Sequence, residues 1–144
     1  MINFVEQDGM IICHVTVDRS RTPQEAMEAI RRHKSLHERA LNTMPRGEYD
    51  EMGITFFNLN HSGRGVYRLQ TKYEQHGLKP CDPFSLAAVN EADPSFADEH
   101  PNITIWKGVD SHWYCAWFDE SVFVWEFISN MYFRNGLWLA GVPK

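Results

Sequence analysis

Residues 112–127, HWYCAWFDESVFVWEF, carry the pattern that decides the fold. Side chains at alternate positions of a β-strand point to opposite faces of its sheet. In residues 112–119 one face would carry Trp113, Cys115 and Trp117, and the other His112, Tyr114, Ala116 and Phe118. If both faces are covered, the strand is central and the rings are core; if one is open, the rings form an apolar recognition patch. The sequence leaves both interpretations open.

The segments on either side extend this sheet. Residues 102–107 and 112–119 are predicted to pair as a hairpin around residues 108–111. Residues 122–133 fit either a helix that begins after Ser121 or a strand that runs into an Asn135–Gly136 turn. We expect the strand, because β-branched and aromatic residues dominate the first half of this segment.

Two further hairpins are expected in the first half of the chain. Residues 2–17 contain an apolar run, an Asp8–Gly9 turn and a strictly alternating second strand. Residues 54–60 and 66–73 read as two strands joined by a glycine-containing loop.

One main amphipathic helix is predicted over about residues 22–43. Thr22 and Glu25 have the spacing of a capping box, and Pro23 stands at the first helical position, where its missing N–H costs nothing. At 100° per residue one apolar stripe forms along this helix. The stripe contains Met27, Ile30, His37, Leu41 and Met44.

These elements predict a single α+β domain over residues 1–144, an antiparallel sheet built from β-hairpins with that helix packed on it. Four of the seven prolines fall within residues 74–101, so this stretch is expected to be a long Pro-rich acidic loop, with a short helix possible over residues 84–90. Loops of this length often carry function.

The composition is that of an ordinary globular protein. The chain has 144 residues, of which 43% are hydrophobic and 23% charged, so it can bury a core of adequate size. It contains no run long enough to span a membrane. Three cysteines without a CxxC spacing argue against a disulfide framework and against a Cys-rich zinc site, so we expect a cytoplasmic protein without a cofactor.

The charge is unevenly distributed. The first 79 residues carry ten acids and eleven Lys or Arg, whereas residues 80–144 carry nine acids and three Lys or Arg. An acidic half repels phosphate backbones and attracts basic surfaces. We therefore expect a protein partner with a basic surface, with no direct binding of nucleic acid and no membrane.

The leading functional hypothesis is a small acidic binding protein that occupies such a surface. Trp and Tyr supply many interface hot spots, so the candidate residues combine rings and carboxylates. They are Asp93, Asp98, Glu99, Trp113, Tyr114, Trp117, Asp119 and Glu120. In size and charge the chain resembles toxin-immunity proteins and phage-encoded inhibitors of host defence, which implies an inhibitor or immunity-like role.

The alternative is a cysteine-dependent hydrolase or transferase. Cys81 stands before a possible helix, and His112 and Asp119 follow it in the chain. This Cys, His, Asp order resembles that of papain-like and transglutaminase-like hydrolases. The odd separation of His112 and Asp119 would put them on opposite faces of a strand, so we favour a non-enzymatic protein.

A metal site is a weaker alternative. His33 and His37 are four residues apart, which would place both imidazoles on one face of the predicted helix. We expect no metal, because no further ligand is identifiable and His37 falls within the apolar stripe.

Overall fold

The computed structural model describes residues 2–127 and 131–144. Strands and helices alternate irregularly along this part of the chain. The strands are β1 Val5–Gln7, β2 Met10–Thr16, β3 His33–Leu36, β4 Glu51–Asn58, β5 Gly63–Arg64, β6 Leu78–Pro80, β7 Asn102–Lys107, β8 Trp113–Phe118, β9 Ser121–Glu126, β10 Tyr132–Phe133 and β11 Trp138–Pro143. The helices are α1 Pro23–Glu28, α2 Glu38–Asn42, α3 Val66–Gln75, α4 Pro83–Ala92 and α5 Phe96–Glu99.

Nine of these strands form one large, mostly antiparallel sheet. Its order is β1-β2-β4-β11-β7-β8-β9-β3, and β6 pairs with the second half of β11. Two neighbouring pairs, β11–β7 and β3–β9, are parallel. The chain therefore has the mixed strand and helix content of the α+β class.

Both faces of the sheet are covered over much of its area. One face packs against α1, α2, α4 and α5, and its core includes Cys13, Phe56, Tyr114 and Val124. The opposite face packs against α3, Phe133 and Leu137. Burial of each large apolar side chain contributes about 1.5–3 kcal/mol, so the two layers supply the main stabilisation.

The prediction of one helix over about residues 22–43 is wrong. The capping box forms: Thr22 Oγ1 accepts from the Glu25 N–H, and the Glu25 carboxylate accepts from the Thr22 N–H at 2.8 Å. Helix α1 nevertheless ends at Glu28, and residues 33–36 form β3, which pairs with β9. Hydrogen bonds to a distant strand outweigh local helix propensity here. Met27 and Leu41 are still buried, so the apolar pattern predicted burial but not the path of the chain.

Residues 66–73 are also helical rather than extended. Gly65 takes a positive φ of 89° at the start of α3, and Leu69 and Tyr73, one helical turn apart, are buried. The two strand-like residues Val66 and Tyr67 are only half-buried or exposed. The four-residue spacing of Leu69 and Tyr73 is typical of a helix. The prediction of a strand relied instead on the β-forming residues Val66 and Tyr67.

Residues 74–101 do not form one long loop. They contain β6, α4 and α5, and the prolines mark the boundaries of these elements. Pro83 is the first residue of α4, and the Asp82 carboxylate caps that helix by accepting from Ser85 N at 2.9 Å. A proline is tolerated at the first position of a helix, where its missing N–H has no partner to lose. The prolines of this stretch were therefore interpreted as signs of a loop, although Pro83 stands at the start of a helix.

Three turns occur where the sequence indicated them. Asp8–Gly9 joins β1 to β2, and residues 108–112 join β7 to β8. A turn at Asn135–Gly136 leads into β11, but β10 before it pairs with β5 and not with β11. Residues 121–126 form strand β9, while residues 128–130 of the ambiguous segment lie outside the described residues. None of the described helices has the length and apolarity that crossing a membrane requires.

Candidate partner-binding site

Helix α5 projects carboxylates from one end of the sheet. Phe96 anchors it, because this ring stacks on Phe4 with centroids 4.2 Å apart and packs against Phe56 at 5.0 Å. Phe96 is buried on the core side of the helix, whereas Asp98 and Glu99 lie on its outer side. The stacked rings thus fix the orientation of the acidic residues.

A pocket of about 490 Å³ lies on one side of α5, and we call it the aromatic pocket. Its wall is a stack of three rings, because His100 lies 4.8 Å from Phe96 and nearly parallel to it, with Phe4 on the other face of Phe96. The carboxylates that line it are Glu6, Asp93, Asp98 and Glu99. Among the described residues that line this pocket there is no Lys or Arg.

A second pocket, of about 710 Å³, lies on the other side of α5, and we call it the Trp117 pocket. Asp98 contributes to both pockets, and here it is joined by Asp119, Glu120 and Arg134. Nε1 of Trp117 is buried and forms no hydrogen bond with any described residue. A buried donor without an acceptor costs about 1–3 kcal/mol.

The two pockets together form a strongly acidic surface. Six carboxylates line them: Glu6, Asp93, Asp98, Glu99, Asp119 and Glu120. Arg32 offsets part of this charge, since its Nη1 lies 2.7 Å from Oδ1 of Asp98 and its Nη2 donates to the Pro94 carbonyl. The hydrogen bond from Arg32 holds the pKa of Asp98 below its usual range.

Other acidic residues of the C-terminal part are neutralised within the fold. Asp82 pairs with Arg19 at 2.7 Å, and Glu91 forms two contacts with Arg21, at 2.6 and 3.2 Å. The acidic stretch from Asp82 to Glu99 therefore does not act as one negative surface. The two carboxylates of this stretch that form no ion pair with a described residue, Asp93 and Glu99, lie close to α5 or within it.

Six of the eight predicted partner-binding residues line these two pockets: Asp93, Asp98, Glu99, Trp117, Asp119 and Glu120. Trp113 lies at the opposite end of β8 from Trp117. The prediction that Tyr114 contacts a partner is wrong, because Tyr114 is fully buried and its hydroxyl donates to Asp110. Its side chain lies on the face of the sheet that α2 and α4 cover.

The structure answers in part whether the C-terminal rings are core or surface. Tyr114 and Phe118 are core, whereas Trp113 and Trp117 on the other face of β8 are half-buried. This partly open face continues onto β9, where Phe123 and Trp125 remain more than a third exposed.

Sequence reasoning missed Phe4, Glu6, Phe96 and Tyr132 as residues of the site. Phe4 and Glu6 come from the N-terminal segment, 90 residues before α5 in the chain, and only tertiary packing brings them there. Tyr132, half-exposed in the Trp117 pocket, carries no local signal that separates it from a core ring.

The Cys81, His112 and Asp119 side chains are not brought together. His112 and Asp119 flank opposite ends of β8, a six-residue strand and hence about 20 Å long. Cys81 is 1% exposed, and burial raises the pKa of its thiol. The ring of His112 instead contacts the Glu126 carboxylate at 3.0 Å.

His33 and His37 do not share a helical face. Residue 33 begins β3 and residue 37 follows it, so the pair is separated by about 13 Å of extended chain. The His37 ring stacks on Trp125 with centroids 3.8 Å apart. Within the described residues, no group of three His, Cys, Asp or Glu side chains has a metal-binding arrangement.

No protein-family model, curated protein or solved structure matches this chain.

Proposed function

We propose that this chain is a small acidic binding protein that occupies a basic surface of a protein partner. The observation that carries the proposal is the pair of pockets on either side of α5, lined by six carboxylates and by partly exposed rings. Opposite charge steers such an encounter and sets its specificity, while rings in a pocket anchor it.

The aromatic pocket suits a lysine or arginine side chain of the partner. A cation held against an aromatic ring gains about 0.5–2 kcal/mol, depending on how far it is desolvated. Phe4 and His100 lie on the two sides of Phe96 in this wall, and Asp93 and Glu99 supply countercharge at its rim. Because Asp98 is already engaged by Arg32, an incoming cation would pair with Glu6, with Glu99, or with Asp93, whose Oδ1 also accepts from Ser95 Oγ at 2.6 Å.

The Trp117 pocket offers a different contact. The half-buried Trp117 ring would pack against the partner, while a flanking basic side chain pairs with Asp119 or Glu120. The exposed ring of Tyr132 adds apolar area beside these groups. Binding here would mask a basic surface of the partner, so the proposed consequence is inhibition, as for an immunity-like protein.

The test uses two double variants with the same change in net charge. Asp93→Lys with Glu99→Lys reverses two of the four negative charges that line the aromatic pocket, whereas Asp50→Lys with Glu74→Lys makes the same change in charge at exposed positions outside both pockets. Asp98 is left intact because its ion pair holds α5 in place. Each variant and the wild type are immobilised, and proteins from a lysate of the source cells are captured at low and at moderate salt.

The expected result is a stoichiometric basic protein that the wild type and the 50/74 variant retain, and that the 93/99 variant and added salt release. The same selectivity is expected with a fluorescent hexa-arginine peptide as a defined probe. Equal binding by both double variants, or capture that persists when salt is raised, would overturn the proposal.

A further inference from the structure

The large sheet forks at one edge of β11. Strand β7 pairs with the first half of β11, at residues 138–139, and β6 pairs with the second half, at residues 141–143. At the branch point the Ala140 carbonyl accepts from Cys81 N at 3.1 Å, and Thr104 Oγ1 of β7 donates to the Cys81 carbonyl at 2.5 Å. Beyond this point β6 and β7 separate, and the side chains of the two branches line a gap.

A cavity of about 600 Å³ fills this gap. Its walls include the Trp106 ring from β7, Val142 and Pro143 from β11, and Met52 from β4. Nε1 of Trp106 donates to Thr43 Oγ1 at 3.1 Å, which fixes the plane of that ring. The volume lies within the range of small-molecule sites, which also form where neighbouring strands of a sheet diverge.

The remaining wall is a loop, residues 45–49, that has no strand or helix of its own but is held firmly. The Arg19 guanidinium donates to the carbonyls of Tyr49, at 2.6 and 3.0 Å, and of Arg46, at 2.7 Å. Arg46 in turn donates to the carbonyls of Arg19 and Arg21, and its guanidinium lies over the Phe84 ring. Two arginines thus fix the loop away from the sheet, so the cavity exists before any ligand arrives.

We infer that this fork cavity binds a planar aromatic molecule that carries an anionic group. Trp106, which is 6% exposed and whose ring stacks on Tyr114, lines the cavity together with Pro143 and Met52, and this apolar lining favours a planar apolar body. Among the described residues that line the cavity, Lys79 is the one cation, and it lies at the mouth on β6. Of the lining carboxylates, Asp82 is paired with Arg19, and neither Asp82 nor Glu48 forms an ion pair with Lys79, so the Lys79 ammonium can pair with an incoming anion.

The test compares two dyes with nearly the same aromatic body. The dye 8-anilinonaphthalene-1-sulfonate carries a sulfonate, and N-phenyl-1-naphthylamine has no charge. Fluorescence titration of the folded protein is expected to give one site for each dye, with the sulfonate bound more tightly. Lys79→Gln is expected to weaken sulfonate binding about twofold to fivefold and to leave the neutral dye unchanged, as for an exposed ion pair.

Three further variants locate the site. Pro143→Trp, which places a larger ring at the mouth, is expected to weaken both dyes at least about tenfold, as loss of a filled apolar site requires. Lys107→Gln removes a lysine outside the cavity, and Trp125→Ala removes the exposed ring on β9; neither is expected to change binding. Thermal unfolding confirms that each variant is folded.

The inference fails if neither dye binds, or if both bind equally well to Pro143→Trp. It also fails if Lys79→Gln leaves the sulfonate unaffected, or if Trp125→Ala alone abolishes binding, since the dye would then occupy the open face of β9.

Discussion

Nη1 of Arg19 lies 2.7 Å from Oδ1 of Asp82, and this ion pair joins the segment after β2 to the N-terminus of α4. Both side chains are nearly buried, with 12% and 11% of their surface exposed. The same Asp82 carboxylate caps α4 through Ser85, so one carboxylate serves both the helix and the long-range contact.

Arg19→Ala should therefore destabilise the protein by about 2–4 kcal/mol, because it leaves the nearly buried Asp82 carboxylate without its countercharge and two backbone carbonyls without their side-chain donor. Arg19→Lys should cost less, since an ammonium can keep the ion pair but cannot reach the Tyr49 and Arg46 carbonyls at the same time. Urea unfolding measures both. A loss below about 0.5 kcal/mol for Arg19→Ala, typical of an open surface position, would contradict this account.

Thr22→Ala should cost about 1 kcal/mol, because Thr22 Oγ1 accepts the Glu25 N–H at the start of α1. Thr22→Ser keeps the hydroxyl and is the matched control. Chemical denaturation of the two variants should separate them, and equal stability would show that the cap contributes nothing in this short helix.

Acid should destabilise the ion pair between Arg32 and Asp98. The pKa of Asp98 is lowered in the folded chain by its hydrogen bond from Arg32. A carboxyl group with a lowered folded pKa stabilises the protein above its unfolded pKa of about 3.9, and that contribution is lost as pH falls through the folded pKa.

Arg32→Gln should consequently flatten the dependence of thermal stability on pH between about pH 5 and pH 2. The neighbouring exposed Arg31→Gln removes the same charge and is expected to keep the wild-type slope. Identical slopes for the two variants would rule out this role for Arg32.

All three cysteine thiols should react slowly with iodoacetamide in the folded protein near neutral pH. Burial raises the pKa of Cys13 and of Cys115 to about 12, and that of Cys81 still further, so little thiolate forms. Mass spectrometry of timed samples should find similar slow labelling at the three sites, and fast labelling of all of them in urea. Preferential labelling of Cys81 in the folded chain would revive the cysteine hydrolase alternative.

Several features of this protein could be predicted from the sequence because they depend on neighbours in the chain. The alternation in β2 and β8 and the capping box at Thr22 involve residues within a few positions of one another. The apolar residues Met27 and Leu41 were correctly predicted to be buried, because hydrophobicity determines burial whichever element carries the residue.

Tertiary structure decided the rest. Residues 33–36 form a strand and not the predicted helix, because β9, almost 90 residues later, supplies a row of backbone hydrogen bonds. These outweigh the helix propensity of the residues themselves. Which carboxylates face a partner was also decided by distant residues, since Arg19 and Arg21 neutralise Asp82 and Glu91 across 63 and 70 residues. The acidic surface around α5 and the cavity at the fork of the sheet both arise from such long-range pairings, for which a single sequence carries no local signal.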